Sequence, residues 1–343
     1  MSHLPTFADS ADQGRLGLVW LKRLWSQWVV GHGARADAVA AWRATKVLLS
    51  GLNLGVEEVM RWCGSRASFE EFEDWVLECN GGAIDPLTVT RINAALTGAP
   101  PPPAIRERLD AIERLPDVLG PAELGQWHEQ GWVVLPNAID AAACAAAAQV
   151  VWDAQGMSPE RPEEWGRFGP RQQCVFVQLF RHPALRVARE SPRVHKAFAQ
   201  LWGTADLWMT TDRVGFNPPE RSGLQFQGPG IHWDVSLVQP IPLGIQGLLY
   251  LSDTTAEQGA FALVPGMHRT IGDWLDSVPS GEHPQHFAAR TLTMTPIAGK
   301  AGDLVIWHHA LPHGPTPNRS DQPRLVQYLK MFPADFGYQP EWL

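Results

Sequence analysis

Gly230-Ile231-His232-Trp233-Asp234 places an imidazole and a carboxylate two residues apart. On an extended chain, side chains at i and i+2 point to the same side, so His232 and Asp234 can offer a nitrogen and an oxygen to one ion. A third donor from a distant part of the chain would close the set. His308, His309 and His313 are the candidates, following the apolar run Leu304-Val305-Ile306-Trp307. Two imidazoles and one carboxylate on one face of an octahedron leave the opposite face open, as non-haem ferrous oxygenases require for a bidentate 2-oxo acid and then dioxygen. Arg324 closes the Pro-rich stretch after His313, and its planar fork of donors matches a carboxylate. The His-x-Asp pair alone says little, because a satisfied polar pair at a strand mouth reads the same way.

The surrounding elements must hold these groups. Residues 246–252 read as a buried strand ending at Asp253, and residues 259–264 as another, stopped by Pro265-Gly266. Ala301-Gly302-Asp303 is a tight turn feeding the strand at 304–307, and a further strand is expected over 324–332. A strand over 207–216 and the Pro/Gly loop 217–230 lead to His232. Long loops in compact domains are usually functional, although a variable surface insertion has the same composition. Short strands with close turns and no alternating long helices predict an antiparallel sandwich or barrel.

Taken in order, these motifs resemble the phytanoyl-CoA dioxygenase family of Fe(II)/2-oxoglutarate oxygenases from about residue 119 to 332. The matching features are His232-x-Asp234, Pro265-Gly266-Met267-His268, the Gly302-Asp303 turn, His313, and Arg324 eleven residues beyond it. Residues 123–136 resemble the family's first helix and strand. The resemblance implies an α+β chain with a mainly β core: a double-stranded β-helix (jelly roll, cupin-like) with flanking helices and a helical N-terminal extension. The Arg spacing selects His313 over His308 and His309. The implied metal and catalytic set is therefore His232, Asp234 and His313, with Arg324 on the far carboxylate of 2-oxoglutarate. Tyr250 falls where relatives place an aromatic near the cosubstrate, and core packing explains it nearly as well. Many relatives carry a hydroxyl residue two after the distal His. Here that position is Pro315, which leaves Thr316 beside it as the substitute. His268 reads as a turn residue or one behind the ligands, and Trp307 as core. Gln225, Gln227 and Trp233 flank the motif and are candidates to meet substrate.

The implied cofactors are Fe(II), 2-oxoglutarate and O2. The implied reaction is hydroxylation of a small organic substrate, with decarboxylation of 2-oxoglutarate to succinate and CO2. Halogenating relatives replace the carboxylate ligand by Ala or Gly, so Asp234 points to hydroxylation. Two other readings stand beside it. One is a catalytically silent metal-binding jelly roll acting as a binding or regulatory module, and the other is a jelly roll using another cation without 2-oxoglutarate.

Composition is consistent with an enzyme of small molecules. The 343 residues carry a net charge of −8, which argues against a nucleic-acid protein or a polybasic membrane binder. Four cysteines without a CxxC pair fit a reducing, cytoplasmic setting. No cationic leader or small-residue cleavage site surrounds the apolar stretch 16–30, and Lys22 and Arg23 within it argue against a membrane span. Leu21, Trp25 and Trp28 share a helical face, suited to packing or, alternatively, to a membrane surface or partner.

Further helices are expected at 36–49 and 56–62. Ser68 with Glu71 should cap another, and Asp85-Pro86 opens one that Gly98 stops. Residues 1–103 thus read as a helical region ending in a Pro-rich linker at 100–103. The oxygenase domain is then expected over 104–343, starting with a connector helix at 104–115. Helices at 121–130 and 141–152 follow, then a loop at 154–169 that is a lid candidate. The oligomeric state is open, a homodimer included.

Overall fold

Helix-end chemistry explains the first third of the chain. In the computed structural model, which describes residues 7–30, 38–65, 67–221 and 223–343, the Glu71 amide donates to the Ser68 hydroxyl at 3.2 Å. The Ser68 amide donates back to the Glu71 carboxylate at 2.7 Å, and the helix Phe69–Cys79 follows. Asp85 caps Pro86–Thr97 by accepting from the Leu87 amide, and Gly98 ends that helix at φ 72, a left-handed turn that a side chain would strain. Helices Leu21–Val30, Ala38–Gly51, Val56–Cys63 and Pro103–Glu113 complete this run. In the first of them Leu21 and Leu24 are buried, while Trp25 donates to Ala67 O and packs on Phe69, so its apolar face is spent on packing. Part of the helix expected at 36–49 lies outside the described residues. No helix among the described residues is long and apolar enough to cross a membrane.

The chain forms two compact units. Met1–Leu115, Thr204–Thr211 and Met331–Pro340 make the first; Pro116–Gly203, Asp212–Lys330 and Glu341–Leu343 make the second. The helix Pro103–Glu113, just after the Pro-rich stretch, falls in the first unit.

Twelve strands run through the described residues: β1 Trp132–Leu135, β2 Gln172–Gln173, β3 Phe176–Val177, β4 Trp208–Met209, β5 Val214–Asn217, β6 Ile245–Tyr250, β7 Phe261–Leu263, β8 Thr295–Pro296, β9 Leu304–His308, β10 His313–Pro315, β11 Arg324–Leu329 and β12 Met331–Phe332. The stretches 207–216 and 324–332, each expected as one strand, are both broken. Their outer parts, β4 and β12, pair in the first unit, while β5 and β11 pair in the second. The break in 324–332 falls at Lys330, whose ammonium is turned to Asp212 and Asp234.

The second unit mixes helices with antiparallel sheets. Its large sheet has the order β1-β9-β6-β11-β5-β3-β2, and its small one β10-β7-β8. Register sets what each face carries, since paired residues share a side and alternate along the strand. Gln246, Leu248 and Tyr250 of β6 stand beside Trp307 and Val305 of β9, and beside Tyr328 and Val326 of β11. Arg324, two before Val326, joins the same face opposite Asn217. This face packs on Phe261 and Leu263 of the small sheet in one apolar cluster. Each large side chain so buried contributes about 1.5–3 kcal/mol. The other face is covered by helices: Trp152 of Ala141–Gln155 meets Phe216 edge-on at 5.1 Å, and Gln327 donates to Leu185 O in Pro183–Arg189. The segment 154–169 carries a 3-10 turn at Pro162–Glu164, then Trp165, which is 2% exposed, packs on Trp152 and lies under the Arg221 guanidinium.

Candidate metal centre

His313 opens β10, and His232 lies opposite it across an isolated antiparallel bridge. Each backbone amide donates to the other's carbonyl at 3.0 Å. Residues facing each other in such a pair project to the same side, and the two imidazole centroids are 4.7 Å apart. Asp234, two residues on, joins them, and one ligand atom from each of the three lies within 4.8 Å of the others. The His232 Nε2 and Asp234 Oδ1 atoms are 3.7 Å apart, as are His313 Nε2 and Asp234 Oδ2.

Backbone carbonyls fix which nitrogen each imidazole presents. His232 Nδ1 faces Gly230 O at 2.8 Å, and His313 Nδ1 faces Leu311 O at 3.0 Å. A carbonyl accepts only, so both Nδ1 atoms carry the proton and both Nε2 lone pairs are left for a metal. Burial, helped by the neighbouring His313, holds His232 below its ordinary value, which favours the neutral ligand form. Burial works to raise the Asp234 carboxyl, but its neighbours, the Lys330 ammonium first among them, outweigh it and hold the group well below the usual carboxylate range. Gln246 Nε2 donates to Asp234 Oδ2 at 2.7 Å, and Lys330 Nζ stands 3.6 Å from that same oxygen. The three ligand atoms suit a ferrous ion: two neutral imidazoles and one anionic oxygen, grouped on one side.

Arg324 is the second notable group. Its side chain is fully buried, and none of Nε, Nη1 and Nη2 has a hydrogen-bond partner among the described residues. An unpartnered buried cation is costly, and the planar fork is complementary to a carboxylate. The donor set therefore fits a dicarboxylate cosubstrate. Arg324 is joined to the ligand region through packed side chains. Tyr250 lies within electrostatic reach of Arg324, and its hydroxyl accepts from the Phe261 amide at 3.2 Å. Phe261 packs on Trp307 at 4.2 Å and approaches the His313 ring at 5.8 Å.

The remaining sequence candidates take other places. Tyr250 donates its proton to Ile297 O at 2.6 Å, and burial pushes the hydroxyl up to about 12 against the pull of Arg324. The Thr316 hydroxyl donates to Ala260 O at 3.1 Å. His308 stacks near His268 and His309 instead of joining the triad, and His309 Nε2 faces Pro242 O. Trp233 donates to Ala310 O, and Trp307 is core, as expected. Gln225 and Gln227 line a small cleft with Phe168, Cys174, Asn217 and Glu220. Sequence reasoning missed Gln246 and Lys330. One signal was present for Gln246, an amide standing in an otherwise apolar strand.

The family model for phytanoyl-CoA dioxygenase matches residues 127–326, more than half of the chain. The chain belongs to the phytanoyl-CoA dioxygenase family. Fe(II) and 2-oxoglutarate go with that family, and the donor set described above suits them. A Dictyostelium discoideum protein provisionally named a phytanoyl-CoA dioxygenase is 24% identical over 184 residues, 43% of this chain and 53% of that one. The chain spans about half the length of the curated relatives it matches. Among solved structures it is similar to SnoK, a non-haem α-ketoglutarate-dependent carbocyclase from nogalamycin biosynthesis, at 22% identity and TM-score 0.47, over 67% of this chain and 88% of that one. It is also similar to HygX from Streptomyces hygroscopicus, solved with nickel and 2-oxoglutarate bound, at 16% identity and TM-score 0.46, over 64% and 88%.

Proposed function

We propose that the second unit is a double-stranded β-helix dioxygenase that hydroxylates a small organic substrate, with His232, Asp234 and His313 as the Fe(II) ligands. The observation that carries this reading is one pairing of features: three donor atoms grouped within 4.8 Å, and a fully buried Arg324 whose guanidinium has no hydrogen-bond partner among the described residues. Bound Fe(II) supplies dioxygen activation, coupled to decarboxylation of 2-oxoglutarate to succinate and CO2.

The chain's own residues bind, orient and exclude water. Arg324 anchors the far carboxylate of the cosubstrate by a two-pronged contact. Tyr250 and Phe261 wall the space beside it, and Tyr250 acts by shape because its proton is already given to Ile297 O. Thr316, whose hydroxyl is turned to Ala260 O, steadies the start of β7. The burial around Trp307 and Phe261 keeps bulk water from this side of the site. Asp234 retains the carboxylate ligand that distinguishes hydroxylation from halide transfer. The setting is a cytoplasmic enzyme with four free thiols and a small-molecule substrate.

An anaerobic titration with Fe(II) and 2-oxoglutarate tests the reading through the visible charge-transfer band of the chelate. The band should form in the wild type and be lost in both His313→Ala and Arg324→Ala. Bound iron without a band would instead favour the catalytically silent module.

A further inference from the structure

Asp234 presents two chemically equivalent oxygens, yet its surroundings treat them unequally. Oδ2 accepts the Gln246 amide at 2.7 Å and lies 3.6 Å from the Lys330 ammonium. Each oxygen lies 3.7 Å from one imidazole Nε2, Oδ1 from His232 and Oδ2 from His313, but Oδ1 receives no hydrogen bond from any described residue. The difference matters because a carboxylate can bind a metal through one oxygen or two. With both oxygens on an octahedral ion, the three residues would occupy four positions. Two would remain, too few for the 2-oxo acid chelate and dioxygen together, and the second oxygen would compete with the chelate for the open face.

Gln246 is built to be rigid. It lies in β6, between β9 and β11, where every residue is buried. Packing does not explain an amide there, since burying one is unfavourable unless it is hydrogen-bonded. Nor is the amide part of a satisfied core network, because Gln246 Oε1 is itself buried without a partner among the described residues. Among the described residues, the one bond the side chain makes is the one to Asp234. Lys330 comes from just beyond β11, the neighbouring strand, so the two groups reach the same oxygen from two adjacent strands.

We infer that Gln246 and Lys330 are a positioning pair that occupies Asp234 Oδ2, so that Asp234 ligates through Oδ1 alone and three coordination positions stay open. The inference rests on the ferrous oxygenase reading and adds to it the groups that set the coordination number. The residues that hold a metal's ligands commonly change affinity or activity 10–100-fold when replaced. Here the change should fall on the cosubstrate, not on the metal. A released Asp234 swings to two-oxygen binding, which keeps the metal while its second oxygen competes with the 2-oxo acid chelate for the open face.

The test compares wild type, Gln246→Met, Lys330→Met and Lys330→Arg by anaerobic titration, first with Fe(II) alone and then with 2-oxoglutarate. Methionine keeps the length and apolar body of glutamine without its donor. Gln246→Met should bind Fe(II) within about threefold of wild type, bind 2-oxoglutarate about tenfold or more weakly, and lose charge-transfer intensity. Lys330→Met should show a smaller loss in the same direction, and Lys330→Arg should restore it. Lys330 is partly exposed, so its variants keep the test available should Gln246→Met fail to fold. Unchanged 2-oxoglutarate affinity and band in both Met variants would overturn the inference. So would equal loss of Fe(II) and 2-oxoglutarate binding, the mark of a merely structural role. If the wild type itself forms no band, the oxygenase reading fails and takes this inference with it. An intact wild-type band with indifferent variants sinks the inference alone.

Discussion

His232 and His313 hydrogen-bond to each other's backbone in both directions at 3.0 Å, and this single bridge aligns two of the three candidate ligands. The residues just beside it are packed to the limit. A Cβ on Gly314 would lie 2.8 Å from Gly230 O, the same carbonyl that fixes the His232 tautomer. Backbone cannot yield as a flexible side chain can. Gly314→Ala should therefore push the 229–232 segment off β10, cost about 1–3 kcal/mol of stability, and weaken metal binding about tenfold or more. Equal metal affinity in the variant and wild type, by isothermal titration, would refute this.

Metal binding should also be visible as stabilisation. A ligand that binds only the folded state at a hundred times its Kd stabilises by about 2.7 kcal/mol. Adding Mn(II) or Fe(II) should raise the melting temperature of wild type, and a chelator should reverse the shift. His232→Ala and His313→Ala should melt at the same temperature with or without metal. A metal-induced shift that survives in either variant would mean that the ion binds elsewhere.

Arg324 should give effects of opposite sign in the free and loaded protein. Without cosubstrate it is a buried cation with no hydrogen-bond partner among the described residues, so Arg324→Met should stabilise the ligand-free protein by about 1 kcal/mol, or roughly 2–4 °C in Tm. With metal and 2-oxoglutarate the order should reverse, because the variant forfeits about 2–5 kcal/mol of charge-paired binding. Thermal melts of both proteins with and without 2-oxoglutarate decide it. A variant less stable in both states would show that Arg324 is held by contacts within the fold.

What could be read in the sequence was local. Ser68 with Glu71, and Asp85 with Gly98, announce helix ends because capping bonds span two to three residues. His232 and Asp234 share a side because the alternation of an extended chain needs no tertiary information. Gln246 and Lys330 were not legible as partners of Asp234. They reach it only through the register of β6 and β11, and register depends on the whole sheet. The pairing of β4 with β12 escaped for the same reason, since more than a hundred residues separate the two strands. Both are short, and each reads as the end of a longer neighbour.

Acid should destabilise the fold through His308. Burial first, then the nearby His309 and His268, push its imidazole down to about 3 from an ordinary 6.5. The Ala310 amide donates to His308 Nδ1 at 3.0 Å, which requires that nitrogen to be unprotonated. The folded value lies below the unfolded one, so between pH 6.5 and about 3 the unfolded chain holds a proton that the folded chain lacks. The contribution is whole above pH 6.5 and is lost as the pH falls, with a slope of up to about 1.4 kcal/mol per pH unit. Urea midpoints of chelator-treated protein should drop from pH 7 to pH 5, and His308→Gln should flatten that slope. Parallel slopes would remove His308 as the cause.

Deleting residues 1–103 should not release a well-behaved remainder, because the first unit also draws on later chain. Trp208 of β4 and Met331 and Phe332 of β12 are buried within it. The Arg91 guanidinium lies 4.2 Å over the Trp208 ring and donates to Leu207 O at 2.9 Å, while the Lys46 ammonium stands 5.2 Å over Phe332. Truncation removes Arg91 and Lys46 with their helices, and it leaves Trp208, Met331 and Phe332 uncovered as an apolar patch that favours aggregation. The milder Arg91→Ala should destabilise by about 1–3 kcal/mol, since the stacking and the hydrogen bond go together. Size-exclusion chromatography of the truncated chain checks the main point. A monodisperse truncated protein that still binds Fe(II) would show that β4 and β12 do not depend on the N-terminal helices.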